Sequence, residues 1–206
     1  MNEITGYGKL TESGRPYYVF DNVFNEEEVN NILWEQEVIA NDIKRRENTA
    51  GAVQNGQSLK SANACWIHDI YTNTAAQSSP VIKATRKYYG DNIMKPMSEF
   101  HWAFDSMKDR MLSESVQFLY YADSDNYGTH VDDSSITFLY WLAKEPRGFE
   151  GGDLILDNSD TVEFKSNRLV ALSLGMPHEV TKVKSTTDKK GYGRYCISTF
   201  LNIPIR

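Results

Sequence analysis

The chain has four histidines, His68, His101, His130 and His178. Two of them stand where they could act with a carboxylate. His130-Val131-Asp132 is an H-x-D. On a strand, residues i and i+2 share a face, so both side chains would reach one point from one side. A lone pair of this kind arises easily by chance. His178 strengthens it. It is the only histidine downstream of Asp132, it follows the turn-like Gly175-Met176-Pro177, and it precedes a short apolar run. Two imidazoles and one carboxylate hold a non-haem Fe(II) and leave three of its positions open. The same set can also hold a catalytic Zn(II). His68 and His101 have no partner in register and read as structural.

Arg194 adds a separate constraint. It opens Arg194-Tyr195-Cys196-Ile197-Ser198-Thr199-Phe200. Strand alternation puts Arg194, Cys196, Ser198 and Phe200 on one face. An arginine on an inward face is costly unless it meets an anion. A dicarboxylate would supply one, bidentate to the guanidinium. Taken alone, a surface arginine paired with a nearby Asp or Glu is the plainer reading. Nucleotide and hydrolase signatures are missing: there is no Walker A, G-x-G-x-x-G, G-x-S-x-G, H-E-x-x-H or C-x-x-C sequence.

Elements must position these groups. Asn25 caps a helix predicted over 26–40, and Glu28 completes a capping box. Pro16 to Asp21 reads as a strand before it. Residues 41–61 read as a long polar loop, either a lid or disorder. Ala64 to Tyr71 reads as a strand. Ser79 with Pro80 predicts a second helix ending near Gly90. Beyond Phe100, short Val-, Ile-, Phe- and Tyr-rich runs alternate with Gly, Asp and Asn clusters. They predict strands near 100–105, 114–122, 134–143, 152–156, 161–164, 168–174, 178–183 and 193–202. The pattern is mainly β with flanking α-helices (α+β), a sandwich or jelly roll with the N-terminal helices on one outer face.

Composition limits the function classes. The 206 residues carry 22 Lys and Arg against 28 Asp and Glu, a net charge of -6. That balance disfavours a nucleic-acid footprint. No apolar run is long enough to span a membrane. The first ten residues lack the apolar stretch of a secretory signal. Cys65 and Cys196 form no framework and read as buried free thiols, so a cytoplasmic setting is expected.

From about Phe100 onward the chain resembles the 2-oxoglutarate- and Fe(II)-dependent oxygenases, in particular the prolyl 4-hydroxylase-like branch. The branch's run Q-x-x-x-Y-x-x-G-x-x-Y-x-x-H-x-D finds Gln117, Tyr121, Tyr127, His130 and Asp132 in register, with Ser124 in place of the usual Gly. Gly151-Gly152-Asp153-Leu154 looks like the family's G-G-[DE]-L, and His178-Glu179-Val180 like its H-x-V. Arg194 matches the basic residue of the last strand, sixteen residues after His178. That spacing is longer than usual and implies an inserted loop over 184–193.

The resemblance implies one domain over 1–206. A strand and helix buttress would occupy 1–99, and a double-stranded β-helix (jelly roll/cupin-like) core 100–206. It implies Fe(II) on His130, Asp132 and His178, with 2-oxoglutarate and O2 as cosubstrates and ascorbate as a candidate reductant. Arg194 would bind the far carboxylate of 2-oxoglutarate, with Tyr121 and Ser198 assisting. Packing is the alternative for Tyr121. Tyr127 is expected to touch the prime substrate and Trp141 to line the pocket. The catalytic set is then His130, Asp132, His178 and Arg194. The reaction implied is hydroxylation of an unactivated C–H, coupled to decarboxylation of 2-oxoglutarate to succinate and CO2. Because Asp132 is present, hydroxylation is favoured over the halogenation seen in relatives that lack this carboxylate. The implied substrate is a prolyl residue in a peptide or protein, with a free amino acid or other small molecule as the alternative. A jelly-roll binding module without turnover and a cupin-like metalloenzyme without cosubstrate are the competing readings.

Overall fold

The structure, a computed structural model, describes residues 3–39, 44–45, 51–106 and 113–202. The chain begins with β1 (Thr5–Leu10), β2 (Pro16–Asp21) and α1 (Glu26–Val38). Next come β3 (Lys44–Arg45), β4 (Val53–Gln54), β5 (Gln57–Ser58) and β6 (Asn63–Trp66). A helical stretch follows, with α2 (Ile67–Ile70), α3 (Asn73–Ala76), α4 (Pro80–Thr85), α5 (Asp91–Phe100) and α6 (Trp102–Asp105). The strand-rich part holds β7 (Ser113–Tyr121), β8 (Tyr127–His130), β9 (Ile136–Leu142), β10 (Phe149–Gly151) and β11 (Leu154–Leu156). It ends with β12 (Asp160–Val162), β13 (Arg168–Ser173), β14 (His178–Val180), β15 (Val183–Ser185) and β16 (Arg194–Asn202).

These strands form a larger sheet, β1-β2-β13-β9-β16-β7-β6-β3, and a smaller one, β12-β11-β14-β8. The alternation of the central strands explains the layering. Phe138 and Tyr140 of β9, Leu169 of β13 and Ile197 of β16 face outward, into a core shared with Phe24, Ile32, Val81 and Met97 of the helical side. Leu139 and Trp141, Val170 and Cys196 face inward, onto Leu154, Leu156 and Val180 of the smaller sheet. Both faces of the larger sheet are therefore covered, and each fully buried large apolar side chain contributes about 1.5–3 kcal/mol. This is the double-stranded β-helix with N-terminal helices on its major sheet.

The predicted caps are present. The Asn25 side chain accepts from the Glu28 amide at 3.0 Å, and Glu28 accepts from the Asn25 amide at 3.1 Å. Ser79 Oγ accepts from the Ile82 amide at 3.1 Å, and Pro80 is the first residue of α4. Glu35 of α1 reaches across to accept from the Val81 amide at 2.8 Å, tying the two helices together.

Other expectations are corrected. The strand near 100–105 is the end of α5 and then α6, where the His101 ring nitrogen accepts from the Ala103 amide. Aromatic residues there drew a β reading, although Ile93 and Met97 form a buried helical stripe. Trp102, at the start of α6, is exposed. The strand from Ala64 stops at Trp66 and turns into α2. Residues 51–61 are not featureless, since β4 and β5 form a hairpin whose Asn55 and Gly56 both have positive φ, as a two-residue turn requires. The rest of the expected 41–61 loop, apart from 44–45, lies outside the described residues. Asp125 is buried and accepts from the Ala122 amide, so it belongs to a packed turn.

The same turn explains the departure at Ser124. Its φ is 67°, in the left-handed region that favours glycine. Its amide is held by the Val183 carbonyl at 2.8 Å, so it cannot relax freely. A non-glycine residue there costs about 1–2 kcal/mol, and glycine returns about 0.5–1 kcal/mol through the unfolded chain. Ser124→Gly is expected to stabilise the protein by about 0.5–1 kcal/mol, read as a higher urea midpoint at unchanged slope.

Candidate active site

β8 and β14 are antiparallel neighbours in the smaller sheet, with His130 opposite His178. The register brings the two imidazoles to a centroid distance of 4.2 Å. Asp132 lies beyond the end of β8, in the turn before β9, so the pair is not carried on one strand as its spacing suggested. The turn nonetheless folds the carboxylate back between the rings. His130 Nε2 is 3.5 Å from Asp132 Oδ1, and His178 Nε2 is 3.5 Å from Asp132 Oδ2. One ligand atom from each residue lies within 4.8 Å of the others.

The surroundings fix which atoms are available. His130 Nδ1–H donates to the Gly128 carbonyl at 2.9 Å, and His178 Nδ1–H donates to the Met176 carbonyl at 3.0 Å. A carbonyl only accepts, so each Nδ1 carries the proton and each Nε2 presents its lone pair to the shared point. Burial holds the His178 pKa below the ordinary histidine value, with the His130 charge acting the same way and Asp132 opposing. For Asp132, burial pushes upward, but the two histidines beside it and the Thr137 hydroxyl outweigh it and hold the pKa below the ordinary carboxylate value. Thr137 Oγ1 donates to Asp132 Oδ2 at 2.8 Å and lies 2.7 Å from Ser134 Oγ. Asp132 is thus a carboxylate and His178 a neutral imidazole at neutral pH, which is the state a divalent metal needs.

Arg194 occupies the deep end of the same cavity, which has a volume of about 370 Å³. Its side chain is fully buried. Nε donates to the Gly152 carbonyl at 2.8 Å. The guanidinium carbon lies 4.9 Å from the Tyr121 ring centroid and 5.1 Å from that of Trp141. Among the described residues Nη1 and Nη2 have no hydrogen-bond partner. Gly152 is required here, with φ at +72° and a Cβ that would stand 2.7 Å from Arg194 Cδ. A buried cation with two unpaired nitrogens on a cavity wall lacks an anion to offset its desolvation. The carboxylate of a keto diacid fits that gap.

The remaining expected site residues fall in different places. Tyr121 lines the deep end beside Arg194, and burial raises its hydroxyl pKa, keeping it a donor. Ser198 is four residues along β16 from Arg194, about 13 Å at the usual strand rise. It pairs with Gln117 and lines the same cavity as Arg194. Trp141 is fully buried and is not among the cavity-lining residues, with the Arg194 guanidinium 5.1 Å and the Phe164 ring 5.9 Å from its ring centroid. Tyr127 lines the cavity with its ring stacked on His130, centroids 3.7 Å apart and planes at 11°.

Further residues line the cavity. Trp66 and Phe200, 5.7 Å apart between centroids, line the outer end with Ser115, Gln117 and Asn202. The buried Gln117 amide nitrogen has no partner. Lys60 is fully buried near Tyr127, and burial lowers its pKa to about 8 against the pull of Asp132. Nothing in a polar, non-periodic stretch marks such a lysine. Gln117 was visible through its motif, and Phe200 through its alternation with Arg194.

Fold and site together define a double-stranded β-helix protein with a two-histidine, one-carboxylate centre and a buried anion site. Residues 116–202 match the 2OG-Fe(II) oxygenase superfamily model, and this match supports a likeness to that superfamily over the strand-rich part of the chain. Its cofactors are accordingly Fe(II), 2-oxoglutarate and O2, and His130, Asp132 and His178 could form the iron site. The fold is similar to that of a Pseudomonas putida prolyl-4-hydroxylase, at 15% identity, over 94% of this chain and 95% of that one, with a TM-score of 0.57. An oxidoreductase of the 2OG-Fe(II) oxygenase family from Burkholderia pseudomallei is similar at 12% identity, over 89% and 83%, with a TM-score of 0.54. The α-ketoglutarate-dependent epimerase SnoN of nogalamycin biosynthesis is similar at 12% identity, over 90% and 76%, with a TM-score of 0.52. No curated protein matches the chain. Among the described residues no helix is long and apolar enough to cross a membrane.

Proposed function

We propose that this protein is an Fe(II)- and 2-oxoglutarate-dependent dioxygenase that hydroxylates an unactivated C–H of its substrate. His130, Asp132 and His178 would hold the metal. Arg194 and Tyr121 would hold the far carboxylate of 2-oxoglutarate. The observation that carries this reading is the buried Arg194, whose two unpaired nitrogens share a cavity with the triad. A cupin-like enzyme without cosubstrate, or a binding module, has no use for that cation at that place. When bound, iron with 2-oxoglutarate supplies oxidative decarboxylation to succinate and CO2, coupled to oxidation of the substrate. The chain's own residues bind and orient. The Gly128 and Met176 carbonyls fix the imidazole planes, Thr137 steadies Asp132, and the aromatic walls around Arg194 exclude water from the charge pair.

The first substrate reading is a prolyl residue in a peptide or protein. The Gln117-to-Asp132 run, in register with the prolyl hydroxylase-like pattern, supports it. Trp66 and Phe200 give the outer end two apolar walls, and Ser198 and Gln117 give it polar atoms for an amide. A free amino acid or other small molecule is the alternative. We read 1–206 as one domain with 1–99 as its buttress. The buried thiol of Cys196, which forms no disulfide, supports a reducing, cytoplasmic setting.

Anaerobic thermal unfolding with Mn(II), with and without 2-oxoglutarate, tests the reading. A ligand at one hundred times its Kd stabilises by about 2.7 kcal/mol, or about 5–10 °C for a domain of this size. The expected result is a 2-oxoglutarate shift that requires metal. A metal shift indifferent to 2-oxoglutarate would favour the cupin-like reading, and no shift from either would favour the binding module.

A further inference from the structure

Tyr127 does more than line the cavity. Its ring covers one face of the His130 imidazole at near-parallel stacking distance. Its hydroxyl accepts from the Ala52 amide at 2.9 Å. Its backbone bridges to Lys60. The next residue, Gly128, donates its amide to the Leu59 carbonyl at 2.9 Å. The Gly128 carbonyl is also the acceptor that sets the His130 ring through Nδ1. Residues 51–61 therefore grip one metal-ligating histidine by two routes, the stacked ring and the peptide that orients it. Asn126 and Ser61 close the far side, with the Asn126 amide 2.7 Å from Ser61 Oγ and the Ser61 amide 3.0 Å from the Asn126 carbonyl. His178 has no such clamp, and its orienting carbonyl comes from its own preceding turn.

The same segment forms cavity wall, since Gly51 and Ala52 line the open space that the ligand atoms face. The residue whose amide holds the Tyr127 hydroxyl thus touches whatever fills the cavity. We infer that Tyr127 is a positioning residue that locks the His130 imidazole and couples the 51–61 hairpin to the metal centre. The inference rests on the proposed assignment of His130, Asp132 and His178 as metal ligands. It follows that the coupling is reciprocal. If the hairpin holds His130 in its ligating pose, metal on His130 must hold the hairpin. Groups that orient metal ligands change metal affinity by about 10–100-fold when removed.

The test uses the full chain and Mn(II) alone, titrated by electron paramagnetic resonance under anaerobic conditions. Tyr127→Leu removes ring and hydroxyl and is expected to weaken Mn(II) binding about 10-fold. Tyr127→Phe keeps the stacked ring and is expected to stay within about threefold of the unaltered protein, a rescue that loss of hydroxyl bonding alone would not give. Hydrogen exchange supplies the second readout. Mn(II) is expected to slow amide exchange over 51–61 in the unaltered protein and to slow it less in Tyr127→Phe, where Ala52 has lost its acceptor. Circular dichroism establishes that the variants fold; if Tyr127→Leu does not, the exchange comparison with Tyr127→Phe decides. Equal Mn(II) affinity in a folded Tyr127→Leu, or exchange over 51–61 indifferent to Mn(II), overturns the coupling while leaving the metal site intact. No Mn(II) binding by the unaltered protein overturns the metal assignment itself.

Discussion

Asp132→Ala is expected to weaken Mn(II) binding by two to three decades and to abolish succinate formation. Structural zinc sites of four protein ligands are worth about 10–16 kcal/mol, so one ligand carries about 2.5–4 kcal/mol. The carboxylate is the only anionic member of the cluster that His130 and His178 complete, and removing it leaves two neutral donors to hold a dication. The variant separates binding from folding, because the larger sheet does not depend on this side chain. Asp132 sits in a turn, and its neighbours Thr137 and Ser134 keep a hydrogen bond to each other without it. Asp132→Asn keeps the shape and removes the charge, and the same loss there assigns the effect to charge. Mn(II) titration and a succinate assay on the folded variants check this. Full succinate formation by either variant would move the metal centre elsewhere.

Much of this site was legible because alternation is a strong local signal. Arg194, Cys196, Ser198 and Phe200 could be placed on one face from spacing alone, and β16 presents all four to the cavity. The two histidines were legible as types and not as geometry. Their meeting depends on β8 and β14 pairing across 48 residues of chain, which only a fold resemblance could supply. Ser198 shares a face with Arg194 and lines the same cavity. The Asn55-Gly56 turn was present as a hairpin signal but hidden inside a polar stretch read as loop. Lys60, Gly51 and Ala52 reach the site through that hairpin, and their types carry no pattern. Ser124 was legible as a departure from glycine, and its positive φ gives the reason that position prefers one.

Arg194→Met is expected to cost about two to three decades in 2-oxoglutarate affinity while leaving Mn(II) binding intact. Losing one partner of a buried, hydrogen-bonded charge pair costs about 2–5 kcal/mol. Methionine keeps most of the unbranched stem between the rings of Tyr121, Trp141 and Phe164, so the walls need not collapse. The stability of the ligand-free protein should move the other way. Without an anion the guanidinium has lost its hydration and gains one bond, to Gly152. Replacing buried charge by an apolar group of similar volume is often neutral or stabilising by about 1–4 kcal/mol. Arg194→Met is therefore expected to melt at or above the unaltered protein without ligand, and below it once 2-oxoglutarate and Mn(II) are present. Arg194→Lys retains charge but not the planar fork, and should fall between the two in affinity. The crossing of the two melting curves is the diagnostic feature, because a merely structural arginine would lose stability in both conditions. Unchanged 2-oxoglutarate affinity in Arg194→Met would mean that the cosubstrate's carboxylate is held by another group, and that the unpaired nitrogens face a different anion.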